Sequence, residues 1–208
     1  MTSRHFFEAA ARTWDSRPPS AKTKRAIETA LHALGLCEGD VVLDIGCGTG
    51  ISIPELADAV GATGTVLGLD FSYPMLAQAR VKELGSNAVY IRGDAHVLPI
   101  RSDSVDAALC FAAFAHFGSK EVFLEELYRV LQPGGRGVIC HAMSSAELNQ
   151  FHKNVGDQVK SDVLPEVEQV AAMGQAAGFA VDETIEKSGL YMVAFRKPAE
   201  TNSRFSGR

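Results

Sequence analysis

The chain has 208 residues, of which 46% are hydrophobic and 22% charged, and its formal net charge is −5. This length and composition are typical of one globular domain and exclude an intrinsically disordered chain. The acidic balance argues against a nucleic-acid partner, and the longest apolar run, residues 107–115, is too short to cross a bilayer.

Residues 1–24 form a predicted arm ahead of the core. Within the first 20 residues, Glu8, Asp15 and two prolines interrupt the sequence, and the apolar stretch of a secretion signal is absent there. We therefore expect a cytoplasmic protein. Residues 25–197 are predicted as the folded domain, and residues 198–208 as a polar tail.

Helical and strand-like segments alternate along this domain. Apolar spacing predicts helices over residues 22–34, 51–60, 74–84, 119–131, 146–153 and 166–177. Short apolar runs predict strands over residues 41–45, 65–69, 88–91, 105–111, 137–141, 180–186 and 190–196. This α/β alternation predicts a mostly parallel sheet with helices on both faces, and the short turn at residues 188–189 predicts an antiparallel strand at the end.

A glycine loop follows the first predicted strand. Its three glycines, Gly46, Gly48 and Gly50, allow the backbone to turn tightly and approach a ligand. A dinucleotide-binding motif, G-x-G-x-x-G, would place the third glycine one position later, where Ile51 stands. Asp44, beside the loop, would repel a pyrophosphate and attract an ammonium group. The loop therefore favours a cationic ligand over NAD.

Two further acidic residues follow the next strands. Asp70 ends the second strand, where a carboxylate is suited to bind the hydroxyls of a ribose. Asp94 follows the third strand, where it could accept the exocyclic amine of an adenine. Either residue alone is equally explained as a helix cap or a turn residue. Together with Asp44, however, they match a ligand with an amine, a ribose and an adenine but no phosphate, which describes S-adenosylmethionine.

Five segments resemble, in order and spacing, the motif series of the class I S-adenosylmethionine-dependent methyltransferases. They are residues 43–50 (LDIGCGTG), 68–70 (GLD), 93–94 with 98–99 (GD and LP), 103–106 (DSVD) and 131–135 (LQPGG). The match covers roughly residues 25–141 and is similar to the small-molecule enzymes of the ubiquinone/menaquinone-biosynthesis group. It implies a Rossmann-like, seven-stranded sheet with a reversed last hairpin.

The resemblance also implies which residues bind the cofactor. Ten residues would contact S-adenosylmethionine: Asp44, Gly46, Gly48 and Gly50 at the methionine part, Asp70 at the ribose, Phe71, Met75, Asp94 and Ala95 at the adenine, and Phe111 beside the sulfonium. The arm, with Phe6, Phe7 and Trp14, resembles the lid that covers the cofactor in this family. Plain packing of Trp14 is the alternative.

Methyl transfer from a sulfonium mainly requires that the acceptor be held in line with the methyl group. A base is needed only if the acceptor must lose a proton, and histidine is the usual candidate. His116 follows the fourth strand, His141 ends the fifth, and His152 lies on the helix after it. These are the three candidate catalytic residues, although each could be structural. A metal site from His141, His152 and an acid such as Asp157, which lies outside the residues that the structure describes, fits no standard signature, so no metal site is expected.

We therefore expect an enzyme that methylates a small-molecule acceptor. A macromolecular or soft inorganic acceptor is one alternative, although the acidic charge speaks against RNA and the unpaired cysteines against an arsenite-type thiol site. A protein that binds the cofactor without transferring its methyl group is the other. The sequence predicts neither the methylated atom nor the oligomeric state.

Overall fold

Seven strands form one sheet in the computed structural model, which describes residues 3–155 and 158–199. The strands are β1 (Val41–Ile45), β2 (Thr65–Asp70), β3 (Ala88–Arg92), β4 (Val105–Phe111), β5 (Leu131–His141), β6 (Ala180–Lys187) and β7 (Leu190–Arg196). Their spatial order is β3-β2-β1-β4-β5-β7-β6. Strands β1 to β5 pair in parallel, whereas β7 runs antiparallel to both β5 and β6. The predicted fold class is confirmed.

Helices cover both faces of this sheet. They are α1 (Ser3–Ala10), α2 (Ala21–Leu34), α3 (Ile53–Val60), α4 (Tyr73–Val81), α5 (Lys120–Val130), α6 (Ser145–Val155) and α7 (Val167–Ala176). On one face α2, α3 and α4 bury Ile27, Leu56 and Leu76; on the other, α5 and α7 bury Phe123 and Val170. None of the helices in the described ranges combines the length and apolar character needed to cross a bilayer.

Three boundaries differ from the sequence prediction for local reasons. Helix α3 begins at Ile53 and not at residue 51, because the backbone N–H of Gly50 bonds back to the carbonyl of Cys47 and extends the loop. Helix α4 ends at Val81, and Glu83 beyond it takes a left-handed conformation with φ 51° that stops the helix. Strand β5 begins at Leu131, six residues before the predicted strand, across a register shift opposite β4.

At the start of the chain the structure adds one element. The predicted arm contains a helix, α1, that the sequence prediction lacks, and α2 begins at Ala21, one residue before the predicted helix. The hydroxyl of Ser20 caps α2 by accepting a hydrogen bond from the backbone N–H of Thr23 at 3.1 Å. Of the predicted tail, residues 200–208 lie outside the described residues.

The strand order reverses between β1 and β4. From β1 the chain first builds outward through β2 and β3, and then crosses back to place β4 and β5 on the other side. In doubly wound sheets the loops at the carboxyl ends of the strands diverge at such a point and leave a crevice between them. The fold thus predicts a ligand site above β1 and β4.

Candidate active site

A cavity of about 480 Å³ lies at this crevice. Its wall is built from the loops that follow β1 to β5, with the arm closing one side. The lining residues from those loops are Gly46–Thr49, Asp70, Phe71, Gly93–His96, Phe111–Ala113, His116, Phe117 and His141–Met143. Phe7 and Trp14 of the arm also line it, and the other lining residues are Thr23, Ile51, Leu69, Met75 and Leu148.

Most of the predicted cofactor contacts meet at this cavity. Eight of the ten residues line it: Gly46, Gly48, Asp70, Phe71, Met75, Asp94, Ala95 and Phe111. Asp44 and Gly50 are not among the lining residues. Gly50 lies against Leu84 and Ile53, where it packs the loop onto the helices behind it.

The glycine loop is tied to the end of β2 by its own backbone. The N–H of Gly46 donates to the carbonyl of Leu69 at 2.7 Å, and the N–H of Gly48 donates to the Asp70 carboxylate at 2.9 Å. Gly46 has φ +73°, and a Cβ there would overlap the Cβ of Ala113. Gly48 has φ +54°, and no atom lies within 4 Å of where its Cβ would be. The loop therefore needs glycine at both positions and leaves open space in front of Gly48.

Asp70 is held at the cavity wall by two backbone hydrogen bonds. Its Oδ2 accepts from Gly48, and its Oδ1 accepts from the N–H of Ser72 at 2.8 Å. The side chain is buried, and this burial raises the pKa of the carboxyl above its usual value although both hydrogen bonds act in the opposite direction. Each carboxylate oxygen retains a lone pair for a ligand hydroxyl.

Asp44 lies behind the glycine loop. Leu43 and Ile45 face the α5–α7 side of the sheet, so the alternation along β1 turns Asp44 towards the start of α3. There the hydroxyl of Ser52 donates to its carboxylate at 2.6 Å. Burial raises the pKa of Asp44 to about 7, and the neighbouring charge of Asp70 adds to this effect. The residue places a titratable group close to the site without lining it.

The loop after β3 is shaped by His96. The Oδ1 of Asp94 accepts hydrogen bonds from the backbone N–H of His96 at 2.9 Å and from its ring Nδ1 at 2.7 Å. The other ring nitrogen accepts from the backbone N–H of Ser119 at 3.1 Å, so the ring carries its proton on Nδ1. His96 therefore connects the Asp94 loop to the start of α5.

The three candidate catalytic histidines lie together at the other end of the cavity. His116 and His141 line it, and the His152 ring lies behind them with its centroid 5.0 Å from that of His116. The Nδ1 of His116 is 2.8 Å from the carboxylate of Asp162, and the Nδ1 of His152 donates to the backbone carbonyl of the same residue at 2.6 Å. The sequence prediction does not include Asp162 among the site residues.

His141 differs from the other two. It is buried, and its Nε2 has no hydrogen-bond partner within residues 3–155 and 158–199. Burial lowers its pKa to about 3, and the neighbouring His116, His152 and Lys120 act in the same direction. The ring is therefore neutral at physiological pH. In the described part of the chain, no group of three or more His, Cys, Asp or Glu side chains is arranged to hold a metal ion.

The arm lies against both ends of the cavity. The Phe7 ring is 6.3 Å from Phe71 and 4.7 Å from His116 between ring centroids, and Trp14 packs on Phe7 while 46% of its surface remains exposed. Asp15 then fixes the arm to the glycine loop, because its carboxylate accepts from the Thr49 hydroxyl at 2.8 Å and pairs with Lys82 at 2.6 Å. The pairing of Asp15 with these two residues was not predicted from the sequence.

Comparison with known proteins gives one sequence family. A family model described as a methyltransferase domain matches residues 43–139. A demethylmenaquinone methyltransferase of Lactococcus lactis is 31% identical over 183 residues, which cover 80% of this chain and 72% of that protein. The enzyme of the same name from Oceanobacillus iheyensis is 39% identical over 113 residues, which cover 53% of this chain and 47% of that protein. The chain thus spans about half the length of some of its curated relatives.

Solved structures show the same fold. A SAM-dependent methyltransferase from Aquifex aeolicus superposes with a TM-score of 0.73 at 22% identity, and the match covers 91% of this chain and 98% of the other. At this identity the likeness concerns the fold alone.

Proposed function

We propose that this chain, which belongs to the class I S-adenosylmethionine-dependent methyltransferases related to quinone biosynthesis, transfers a methyl group to a small-molecule acceptor. One observation carries the proposal. A single continuous wall joins the glycine loop and Asp70 at one end to His116 and His141 at the other. The methyl donor and the acceptor would therefore meet in one cavity.

The residues present fit S-adenosylmethionine. The open space in front of Gly48 leaves room for its methionine part, and Asp70 offers carboxylate lone pairs to its ribose. When bound, S-adenosylmethionine supplies a methyl group on a positively charged sulfur. The cavity wall contains no Lys or Arg among the described residues, so no fixed positive charge opposes that sulfonium.

The acceptor side of the cavity is largely apolar. Phe117, Met143 and Leu148 line it together with Phe7 and Trp14 of the arm. Such a wall favours an acceptor with a flat or apolar body and no strong negative charge. The names of the relatives point in the same direction, because demethylmenaquinone is an apolar quinone. We propose that Phe7 and Trp14 act as a lid that excludes water from the reacting atoms.

Calorimetry with S-adenosylmethionine tests the donor site. We expect specific binding, with NAD as a negative control. Asp70→Ala should weaken the affinity by about 100-fold, because it removes a charged hydrogen-bond acceptor and frees the N–H groups of two loops. Asp58→Ala, an exposed carboxylate on α3, is the matched control and should bind like the wild type. Binding of NAD in preference, or an unchanged affinity for Asp70→Ala, would refute this assignment.

Release of S-adenosylhomocysteine tests the transfer. The full chain is incubated with S-adenosylmethionine and a panel of neutral aromatic hydroxyl compounds, amines, thiols, arsenite and bulk tRNA. We expect turnover with small apolar compounds. Turnover only with tRNA or arsenite would replace the small-molecule acceptor by one of those classes. Tight donor binding without any turnover would favour a protein that holds the cofactor without transferring its methyl group.

A further inference from the structure

Asp162 lies at the meeting point of the histidines, between α6 and α7, where the described residues 158–166 form neither helix nor strand. The Oδ2 of Asp162 lies 2.8 Å from the Nδ1 of His116. Both side chains are largely buried: that of Asp162 is 13% exposed and that of His116 is 16% exposed. Because a carboxylate only accepts hydrogen bonds, the proton in this contact is on Nδ1. The neutral His116 ring therefore keeps a lone pair on Nε2.

Two residues one turn apart on α6 hold the segment that carries Asp162. Asn149 forms a pair of hydrogen bonds with the backbone of Leu164: its amide nitrogen donates to the carbonyl at 2.9 Å, and its oxygen accepts from the N–H at 2.8 Å. His152 donates to the carbonyl of Asp162 at 2.6 Å. These contacts fix the backbone on both sides of residue 163, and the Asp162 carboxylate is thereby presented to His116.

The titratable groups around His116 come from three secondary-structure elements and from the segment that carries Asp162. Asp162 is the carboxylate in contact, His152 lies on α6, His141 ends β5, and Lys120 begins α5; the helix α1 contributes the uncharged Phe7 ring. His141 is neutral for the reason given above, and burial also lowers the pKa of His152 and of Lys120. Of these groups, the Asp162 carboxylate is the one whose oxygen lies within hydrogen-bond distance of the Nδ1 of His116.

We propose that His116 is the general base of the reaction and that Asp162 positions it, held in place by Asn149 and His152. This inference rests on the proposed function and adds to it the class of acceptor. An acceptor that needs a base must lose a proton, so we expect a hydroxyl or an acidic carbon and not a tertiary amine or a thioether. In this proposal the neutral His141 ring forms part of the cavity wall and does not act as the base.

The Nε2 of His116 takes the proton from the acceptor, and the electron pair left on the acceptor atom forms the bond to the methyl carbon. The bond between the methyl carbon and the sulfur breaks, and its electron pair stays on the sulfur, which gives S-adenosylhomocysteine. The proton on His116, stabilised by Asp162, then leaves to solvent. No oxidant or further reactant is required.

The hydrogen bond between His116 and Asp162 is tested in the absence of any methyl acceptor. Nitrogen NMR of the histidine rings is recorded against pH on the full-length, ligand-free chain, with His116→Gln to assign the His116 signals. We expect the neutral His116 ring to carry its proton on Nδ1. In Asp162→Ala, which removes the acceptor of that proton, the Nδ1-protonated tautomer should no longer be favoured. An unchanged tautomer would overturn the proposal, whether or not the chain transfers methyl groups.

The base is tested with any hydroxyl compound that the panel shows to be turned over. His116→Gln should lower kcat by about 100-fold or more and leave the affinity for S-adenosylmethionine unchanged. Asp162→Ala should lower kcat by less than His116→Gln does and should likewise leave the affinity for S-adenosylmethionine unchanged. Asp182→Asn, which removes a surface carboxylate paired with Arg196, is the control that should retain full activity. Full activity in His116→Gln would overturn the role of His116 as base.

Discussion

The two ends of the cavity are held in different ways. At the proposed donor end, backbone N–H groups of the glycine loop bond to the end of β2, the neighbouring strand in the sheet. At the proposed acceptor end, His116 contacts Asp162, a side chain 46 residues further along the chain that lies outside the helices and strands. The donor end is thus formed by the sheet itself, whereas the acceptor end is assembled from side chains.

This difference predicts how each end responds to change. Backbone geometry at a positive φ tolerates few side chains, so substitution at the donor end should affect folding together with cofactor affinity. Side-chain contacts can be removed one at a time, so substitution at the acceptor end should affect turnover and leave the donor site intact. Sequence variation among related chains should accordingly alter the acceptor more readily than the donor.

Gly46→Ala should give the largest effect. The new Cβ would overlap the Cβ of Ala113 and would hold an L-residue at φ +73°. Strain and overpacking together should lower the free energy of unfolding by up to about 5 kcal/mol. Denaturant unfolding, followed by circular dichroism, measures this change.

Gly48→Ala is the matched control for this prediction. It has the same unfavourable sign of φ but open space around the added Cβ, so the loss should be only about 1 kcal/mol. Its main effect should be on S-adenosylmethionine affinity, because the added alanine side chain would occupy the open space in front of the loop where the cofactor is expected to bind. Equal destabilisation by the two substitutions would show that the contact with Ala113 does not constrain the loop.

Asp44→Asn should change how stability depends on pH. The pKa of Asp44 is raised to about 7 in the folded chain from an ordinary value of 3.8. Between these two pH values the folded chain holds a proton that the unfolded chain has lost, so stability falls as pH rises. Asparagine does not titrate and can still accept from Ser52. The variant should therefore gain up to about 4 kcal/mol over the wild type between pH 4 and pH 8.

The measurement for Asp44 is the difference in unfolding free energy between variant and wild type across that pH range. Asp58→Asn on the exposed side of α3 is the control, and it should show no such trend. A constant difference between Asp44→Asn and the wild type would mean that the carboxylate is ionised in the folded chain throughout. The donor end would then carry a full negative charge behind the glycine loop before any ligand binds.

Which residues meet at the proposed donor end was largely predictable from the sequence, and the reason is geometric. Gly46, Gly48, Asp70 and Asp94 follow strands that are read directly from their apolar runs, and parallel strands bring their carboxyl ends together. The alternation along β1 turns Asp44 away from the cavity, and its burial against Ser52 depends on where α3 begins. The start of α3 is set by hydrogen bonds within the glycine loop, and the pattern of apolar residues does not predict them.

The acceptor end was predictable only in part. His116, His141 and His152 were identified by their position after β4 and β5, and the structure places them together. Asp162 has no local signal, because the segment around it lacks the periodicity of a helix or strand. Its place is set by Asn149 and Leu164, a contact between two parts of the chain that no short-range pattern specifies.

Asn149→Ala tests this long-range contact and should give the smallest change in global stability. Loss of both hydrogen bonds to Leu164 should free the segment locally by about 2 kcal/mol, which corresponds to roughly 30-fold faster amide exchange at Leu164. Turnover should fall because Asp162 is no longer held against His116, whereas the affinity for S-adenosylmethionine should stay within about twofold. Gln150→Ala, the exposed neighbour on α6, should change neither quantity. A parallel loss of S-adenosylmethionine affinity in Asn149→Ala would contradict the separation of the two ends, because it would show that the donor site also depends on the segment that carries Asp162.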